Sequence, residues 1–373
     1  MSGGGRYITR RRFLETSVAA AALVAEHAPA GAAGKPTWEA QWNDLGTAAR
    51  KEGTISIMTT VGTSFRKWAE AAEAALPGIA IDLQQQPNSE QIANKILAER
   101  QAGVYSFDLI IMAAVSALPR LKPAGALDKL RPLLFRPDVL DNKAWRRGFD
   151  TWPDNEKSYG FPLSESLVMP AINTDLVREG ELKSARSLLD PKWKGKIILG
   201  ELRSGAERVL MTSIRLRDGD DAVRRLLVDQ KPTFVQDIRQ VAEGLVRGNY
   251  AIGHGMAPPN LQEFIDAGLA RNVKFVDIPD VTFITYTFSL WAANRAPHPN
   301  ATKLFANWML TKEGMQLLST HLALNVRRTD VPLVDPNAVP RPAQHYFFSS
   351  NESGLAEVEK TRALVTRITG APA

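Results

Sequence analysis

Cysteine is absent from the 373 residues of this chain, and its absence excludes several kinds of chemistry at once. Without a thiol there is no disulfide, no thiolate nucleophile and no zinc or iron–sulfur site built on sulfur. Attachment of a lipid to an N-terminal cysteine is excluded as well. The folded chain must therefore depend on packing for its stability.

Histidine is scarce, and the common catalytic motifs are missing. After residue 33 the imidazoles are His254, His298, His321 and His345, and none lies three or four residues from another, as a local metal pair would require. There is no Gly-x-Ser-x-Gly elbow, no His-Glu-x-x-His, no phosphate-binding P-loop and no dinucleotide fingerprint after a strand. We expect no catalytic residue, no metal and no cofactor.

Long basic blocks are also lacking. The net charge is +6, and no stretch interleaves Lys or Arg with aromatic residues as a nucleic-acid groove would. We expect no nucleic-acid partner. The modest positive surplus favours an anionic ligand, although scattered solvated charges give the same total.

The N-terminal segment has the three parts of an export signal. Arginines at 10–12 precede a short alanine-rich apolar run, and small residues near 28–32 fit a cleavage site. The run is too short to span a bilayer, and "TRRRFL" follows the order of a twin-arginine signal. Residues 1–33 are therefore predicted to be a signal peptide that sends the chain to the periplasm by the twin-arginine route, with an ordinary secretory signal as the alternative.

The remaining residues alternate between strands and helices. With 44% apolar and 23% charged residues the chain is globular, and its length favours two lobes. "TISIMTT", "IAIDLQQQ" and "FDLIIMA" predict strands of a first parallel sheet, and "KIILGEL", "TFVQD" and "YAIGHGM" predict a second. Thr63 and Ser64 are predicted to cap the helix after the first strand.

Two segments are predicted to cross between the lobes, near 165–173 and 277–287. The fold class is therefore α/β, with two mainly parallel sheets flanked by helices. The predicted boundaries are 34–164 with 277–335 for the first lobe, 165–276 for the second, and 336–373 for a C-terminal tail that packs on a lobe.

Polar turns follow several predicted strands, where ligands bind in open α/β sheets. Three of these turns lead into helices, whose first N–H groups suit phosphate or carboxylate oxygens. "LRSGAERV" is the best case, since it joins a guanidinium, a hydroxyl and a glycine. The predicted ligand-binding residues are Thr60, Gly62, Thr63, Ser64, Ala114, Ser116, Arg203, Ser204, Gly205, Ala206, His254 and Tyr286. Ordinary helix caps, a turn histidine and a core tyrosine are the structural alternatives.

Four segments, "LGTAARKEGTISI", "KILAERQAGVYSFDLI", "LLDPKWKGKI" and "APHPNATKLFANWMLTKEGMQ", closely resemble the extracellular solute-binding proteins of ABC importers. The group resembled includes binders of ferric ion, aminoethylphosphonate and sugar phosphates. The resemblance implies the type II periplasmic-binding fold, in which two lobes joined by crossing strands close around one small molecule. It also implies a soluble periplasmic monomer that delivers its ligand to a permease in the inner membrane.

The resemblance leaves the ligand open. Ferric binders of this group hold iron through an adjacent tyrosine pair after the strand that reads "YAIGHGM" here, and this chain has no such pair. A small anionic organic solute is therefore expected. The alternatives are a ferric or other metal-ion binder of the same fold, a protein that presents a ligand to a membrane sensor, and an exported periplasmic enzyme.

Overall fold

The fold is described from a computed structural model, for residues 37–178, 180–202, 205–341 and 344–370. The predicted signal peptide lies outside the described residues. The strands are β1 Thr54–Thr60, β2 Ala80–Gln86, β3 Leu109–Met112, β4 Leu127–Asp128, β5 Gly160–Pro162, β6 Ser166–Val168, β7 Ala171–Asn173, β8 Ile197–Gly200, β9 Thr233–Val235, β10 Ile252–His254, β11 Val273–Phe275, β12 Phe283–Thr285, β13 Ser289–Ala293 and β14 Phe347–Phe348.

Helices follow most of these strands, as the sequence predicts. They are α1 Trp38–Glu52, α2 Thr63–Ala75, α3 Ser89–Gln101, α4 Ala114–Ser116, α5 Pro137–Leu140, α6 Gly205–Asp218, α7 Asp220–Arg224, α8 Arg239–Val246, α9 Gln262–Asp266, α10 Pro299–Met309, α11 Lys312–Leu322 and α12 Glu352–Thr369. Single π-turns, Ala117–Leu121 and Arg225–Asp229, extend α4 and α7.

The first sheet has the strand order β2-β1-β3-β13-β4, with β5 also paired to β13. β13 is antiparallel to β3, β4 and β5, and all the remaining strands of the sheet run parallel to one another. Alternate residues of β3 belong to two separate apolar cores, Leu109 and Ile111 to one and Ile110 and Met112 to the other. The sheet is therefore covered on both faces, as continuous apolar strands require.

The second sheet repeats this design in the order β11-β7-β10-β8-β9. β7 alone runs against the others, and it directly follows β6, just as β13 directly follows β12. Ile197 and Leu199 enter one core and Ile198 another, so this sheet is also buried on both sides. The prediction of two mainly parallel α/β sheets is confirmed.

A two-stranded ribbon joins the two sheets. β5 pairs with β13 and β6 pairs with β12, both antiparallel and in one continuous register, so that Pro162 lies opposite Ser289 and Ser166 opposite Thr285. β14 adds a third strand on the other side of β12. We call β14, β12 and β6 the hinge sheet, because its strands connect the lobes.

The C-terminal helix α12 contacts both lobes. Its Leu364 and Val365 belong to the core of the second lobe, and its partly buried Leu355 packs against a core of the first. Glu352 accepts a hydrogen bond from Lys122 Nζ at 2.6 Å, on the first lobe.

One local prediction is wrong. The N-cap of α2 is Gly62 and makes no side-chain capping bond, while Thr63 and Ser64 are already inside the first helical turn. Gly62 can serve because its extended backbone leads straight into the helix. Asn88, by contrast, caps α3 as its sequence indicates, since Oδ1 accepts a hydrogen bond from Gln91 N at 3.0 Å.

Candidate functional site

The predicted residues of the first lobe lie at one edge of its sheet, because β1 and β3 are neighbouring parallel strands. Thr60 ends β1, and the Gln85 side-chain amide donates to the carbonyl oxygens of Thr60 at 2.9 Å and Gly62 at 3.3 Å. Gly62, Thr63 and Ser64 are exposed. The turn is thus fixed through its backbone, and its side chains are open to solvent.

Ala114 and Ser116 follow β3 and are both buried. The Ser116 hydroxyl donates to Glu90 Oε1 at 3.0 Å, so it already has a partner. Between them, Val115 is 46% exposed. The side chain that this turn offers to a neighbouring surface is therefore the valine.

The corresponding edge of the second lobe is formed by β8 and β10, which are also parallel neighbours. Arg203 and Ser204 lie outside the described residues, so their predicted roles stay predictions. Gly205 and Ala206 are the first residues of α6. At Gly205 no neighbouring heavy atom lies within 4 Å of the position of an added Cβ, so the backbone at the start of this helix is open.

His254 is buried at the end of β10, with 2% of its surface exposed. Its Nδ1 lies 2.9 Å from Oε2 of the fully buried Glu207, whose Oε1 accepts a hydrogen bond from Gly200 N at 3.0 Å. No hydrogen-bond partner is present for His254 Nε2 among the described residues. The histidine thus ties β10 to α6 below the candidate site.

Tyr286 is also buried, with 1% of its surface exposed, directly after β12. Its ring packs on Phe348 and its hydroxyl lies 3.4 Å from Arg147 Nη2. Burial raises the pKa of Tyr286 to about 12. In this conformation the side chain offers no surface to a solute and instead supports the hinge sheet.

A buried charge network anchors the same end of the ribbon. Arg147 forms a salt bridge with Glu165, which is 1% exposed and directly precedes β6. Arg327 is fully buried and donates to the carbonyl oxygens of Arg146 and Gly148 at 2.9 and 2.8 Å. Burial lowers the pKa of the Arg327 guanidinium. These contacts fix the first-lobe end of the hinge.

A cavity of about 560 Å³ lies along β6, and we call it the hinge cavity. Both lobes line it: Met256 and Ala257 follow β10 of the second, and Asn325 belongs to the first. Ser166, Thr285 and Thr287 supply hydroxyls from the ribbon. Its size is that of a small-molecule site, and its mostly apolar lining with a few polar groups is typical of one.

A second cavity, of about 480 Å³, lies between α6, α12 and the first lobe, and we call it the α6–α12 cavity. Val115 and Leu118 come from the first lobe, and Gly205 and Arg208 from α6. Ser349, which follows β14 at the edge of the hinge sheet away from β6, also lines this cavity. It therefore brings together two of the predicted segments, those after β3 and after β8.

Sequence reasoning missed Ser166, Thr285, Thr287 and Arg208. Their positions along the chain give no signal, since the hydroxyls meet only when the ribbon pairs and Arg208 lies one turn inside a helix. The described residues contain no group of three His, Cys, Asp or Glu side chains placed to hold a metal ion. None of the helices in that part of the chain has the length and apolar character needed to cross a membrane.

Two sheets joined by a paired ribbon, with cavities lined from both sides, define a two-lobe binding protein. Residues 67–337 match the model of the bacterial extracellular solute-binding protein family, and the chain belongs to that family. The predicted solute-binding role is therefore confirmed at the level of the family. No curated protein matches the chain significantly.

Solved structures with the same fold align with this chain over nearly the whole of their own length. Iron-bound HitA from Pseudomonas aeruginosa is 17% identical, covers 85% of this chain and 99% of its own, and has a TM-score of 0.61. A Bordetella ferric binding protein is 18% identical, with coverage of 84% and 98% and a TM-score of 0.63. A putative extracellular solute-binding protein from Bordetella parapertussis is 14% identical, with coverage of 86% and 99% and a TM-score of 0.65.

Proposed function

We propose that this protein is the periplasmic substrate-binding component of an ABC importer, which captures a small anionic organic solute between its lobes. It acts as a receptor and not as an enzyme. As part of the proposal, one lobe consists of 34–164 with 277–335 and the other of 165–276, and 336–373 is a C-terminal tail that packs on a lobe. The twin-arginine route of export, delivery to an inner-membrane permease and a monomeric state belong to the same proposal.

The observation that carries the proposal is the ribbon formed by β5–β6 and β12–β13 beside the hinge cavity. Two strands in one register bend as a unit, so the lobes can move toward each other without losing the hydrogen bonds between them. Closure buries a solute against residues that belong to different lobes. This arrangement selects a ligand by its fit to two surfaces at once.

The anionic character of the solute is supported by the start of α6. This helix has 14 residues, and its first N–H groups and dipole favour negative charge at the end that opens at Gly205. Arg203 and Ser204, which precede it in the sequence, would add a guanidinium and a hydroxyl. A carboxylate or phosphoryl group is the chemistry that such a set binds.

Two of the three similar structures described above are iron-bound HitA and a ferric binding protein, so iron is the leading alternative ligand. The backbone of this chain opposes a tyrosine at Gly255, which has φ +96°. An added Cβ there would lie 2.3 Å from Glu207 Oε1 and 3.0 Å from Ile238 Cδ1. None of residues 254–257 at this end of β10 is a tyrosine, so iron held by an adjacent tyrosine pair would lack its ligands here.

A thermal-unfolding screen of the mature chain tests the proposal. The ligands are phosphonates, sugar phosphates, carboxylates, polyamines and ferric ion. A solute at 100 times its dissociation constant should stabilise the native state by about 2.7 kcal/mol. Binding should also reduce the radius of gyration measured by small-angle X-ray scattering, as lobe closure requires.

Two cavity-filling variants locate the binding. Ser166→Phe places a ring in the hinge cavity and Val115→Phe places one in the α6–α12 cavity, and one of the two should weaken the response to the solute at least tenfold. Thr47→Phe adds the same ring to the exposed side of α1 and should leave binding unchanged. Equal binding by all three variants would contradict an interlobe site, and a response to ferric ion alone would favour the metal-ion alternative.

A further inference from the structure

Arg208 lines the α6–α12 cavity. Arg362 lowers the pKa of Glu359, and the charge of Arg208 contributes to this shift, although Glu359 lies beyond hydrogen-bond and salt-bridge distance of Arg208. No hydrogen bond or ion pair joins its guanidinium to another described residue, and its Nε is shielded from solvent with no acceptor. A partly buried guanidinium normally pairs with a carboxylate or with carbonyl oxygens, as Arg147 and Arg327 do here. An unpaired buried donor costs free energy that a bound acceptor would recover.

The carboxylates that line the same cavity already have cations of their own. Glu90 pairs with Arg120 at 2.7 Å and Glu352 with Lys122 at 2.6 Å. Glu359 accepts two hydrogen bonds from Arg362 Nε, both at 3.0 Å. Arg208 therefore acts on these acids only at longer range, by helping Arg362 to lower the pKa of Glu359, while the direct ion pair of each carboxylate is made with another cation.

Apart from Ser349, whose hydroxyl donates to Ile284 O at 3.0 Å, the rest of the lining is apolar. Val115 and Leu118 come from the first lobe, Val209 from α6 and Leu355 from α12. The site thus combines one guanidinium that has no hydrogen-bonded partner among the described residues with largely apolar walls from both lobes. The cavity of about 480 Å³ is large enough for a ring or short chain of about ten to fifteen heavy atoms.

We propose that Arg208 is the residue that selects a negatively charged solute, by pairing with a carboxylate or phosphoryl group whose apolar body lies in the α6–α12 cavity. This inference rests on the proposed function and places its solute site in the α6–α12 cavity, where α6 begins at Gly205, and not in the hinge cavity. A guanidinium suits these groups because its N–H donors match two oxygens of one anion. No acceptor in the described structure has to be displaced first.

Isothermal titration calorimetry with matched probes tests the inference on the mature full chain. Benzoate and phenylphosphonate carry the anion, and benzamide has nearly the same shape without the charge. The variant is Arg208→Gln. The control is Arg217→Gln, which removes one positive charge from the same helix at a position that is 68% exposed and outside the cavity.

The native chain and Arg217→Gln should bind benzoate or phenylphosphonate at least tenfold more tightly than benzamide. Arg208→Gln should lose this preference while keeping its affinity for benzamide. Equal affinity for benzoate and benzamide in the native chain, failure of all probes to bind, or an unchanged preference in Arg208→Gln would overturn the inference. The proposed function is tested separately. If a solute binds equally well to the native chain and to Arg208→Gln, and Ser166→Phe abolishes that binding, the receptor function is supported and this role of Arg208 is not.

Discussion

Gly160 in β5 lies opposite Trp291 of β13, and the indole ring covers it. A Cβ added to Gly160 would lie 2.2, 2.4 and 2.6 Å from three atoms of the six-membered ring. Carbon atoms in contact are normally about 3.5–4.0 Å apart, so the ring would have to move by more than about 1 Å. Trp291 is fully buried, and its Nε1 donates to Met112 O at 3.2 Å, which restricts such a movement.

We therefore expect Gly160→Ala to lower the free energy of unfolding by about 3 kcal/mol, at the upper end of the cost of overpacking a core. Urea unfolding followed by far-UV circular dichroism measures the change. The control is Gly205→Ala, where the added Cβ meets nothing within 4 Å and should cause no loss. Both variants make the same chemical change, so their difference isolates the clash with the indole ring.

A second background tests the cause. Trp291→Leu removes the six-membered ring, and in that background Gly160→Ala should cost less than about 1 kcal/mol, a coupling that neighbouring residues show. The reasoning is refuted if Gly160→Ala loses less than about 0.5 kcal/mol in the native background, or if its cost is the same with and without the indole.

Three further predictions concern the site and its supports. Gly255→Ala should lower the free energy of unfolding by about 2–4 kcal/mol, because of the positive φ and the contact with Glu207. The control is Gly268→Ala, at φ +71° with its nearest atom 4.0 Å away, which should show only the cost of placing an alanine at positive φ. Equal losses of the two variants in urea unfolding would exclude the clash with Glu207. Because burial raises the pKa of Tyr286 to about 12, stability should be unaffected by this group below pH 10 and should fall as the pH rises from about 10 to 12. Tyr286→Phe should flatten that part of the stability profile, and an unchanged slope would contradict a buried phenol. Thr311 Oγ1 caps α11 by accepting a hydrogen bond from Gly314 N at 3.2 Å. Thr311→Ala should therefore lower the stability measured by thermal unfolding by about 1 kcal/mol, while Thr311→Ser should retain the cap.

Much of the fold was predictable because its signals are local. The β-branched run at 54–60 and the continuous apolar run at 109–112 are strands in the structure, and Asn88 caps α3. Each of these features depends on residues within one turn or one strand. The Thr63 and Ser64 caps failed because Gly62 takes the N-cap position, which depends on the backbone path out of β1.

The candidate site was only partly predictable, since it depends on which segments the fold brings together. Gly205 and Val115 line one cavity although 90 positions separate them in the chain. Tyr286 is predicted near a ligand from its place in the sequence, and its packing against Phe348 is visible only in the folded chain. Ser166 and Thr285 meet because two distant strands share a register.

The sequence by itself determined the α/β class, the two series of strands and helices, and the lack of sulfur chemistry, because composition and periodicity act locally. Tertiary structure alone decided that β6 and β12 form one ribbon, that His254 pairs with a buried glutamate, and that Arg208 Nε is buried without a hydrogen-bond acceptor among the described residues. Charges and hydroxyls acquire partners only when distant segments pack together. For that reason the class of protein can be inferred from the sequence, whereas the residues that select its solute emerge from the folded chain.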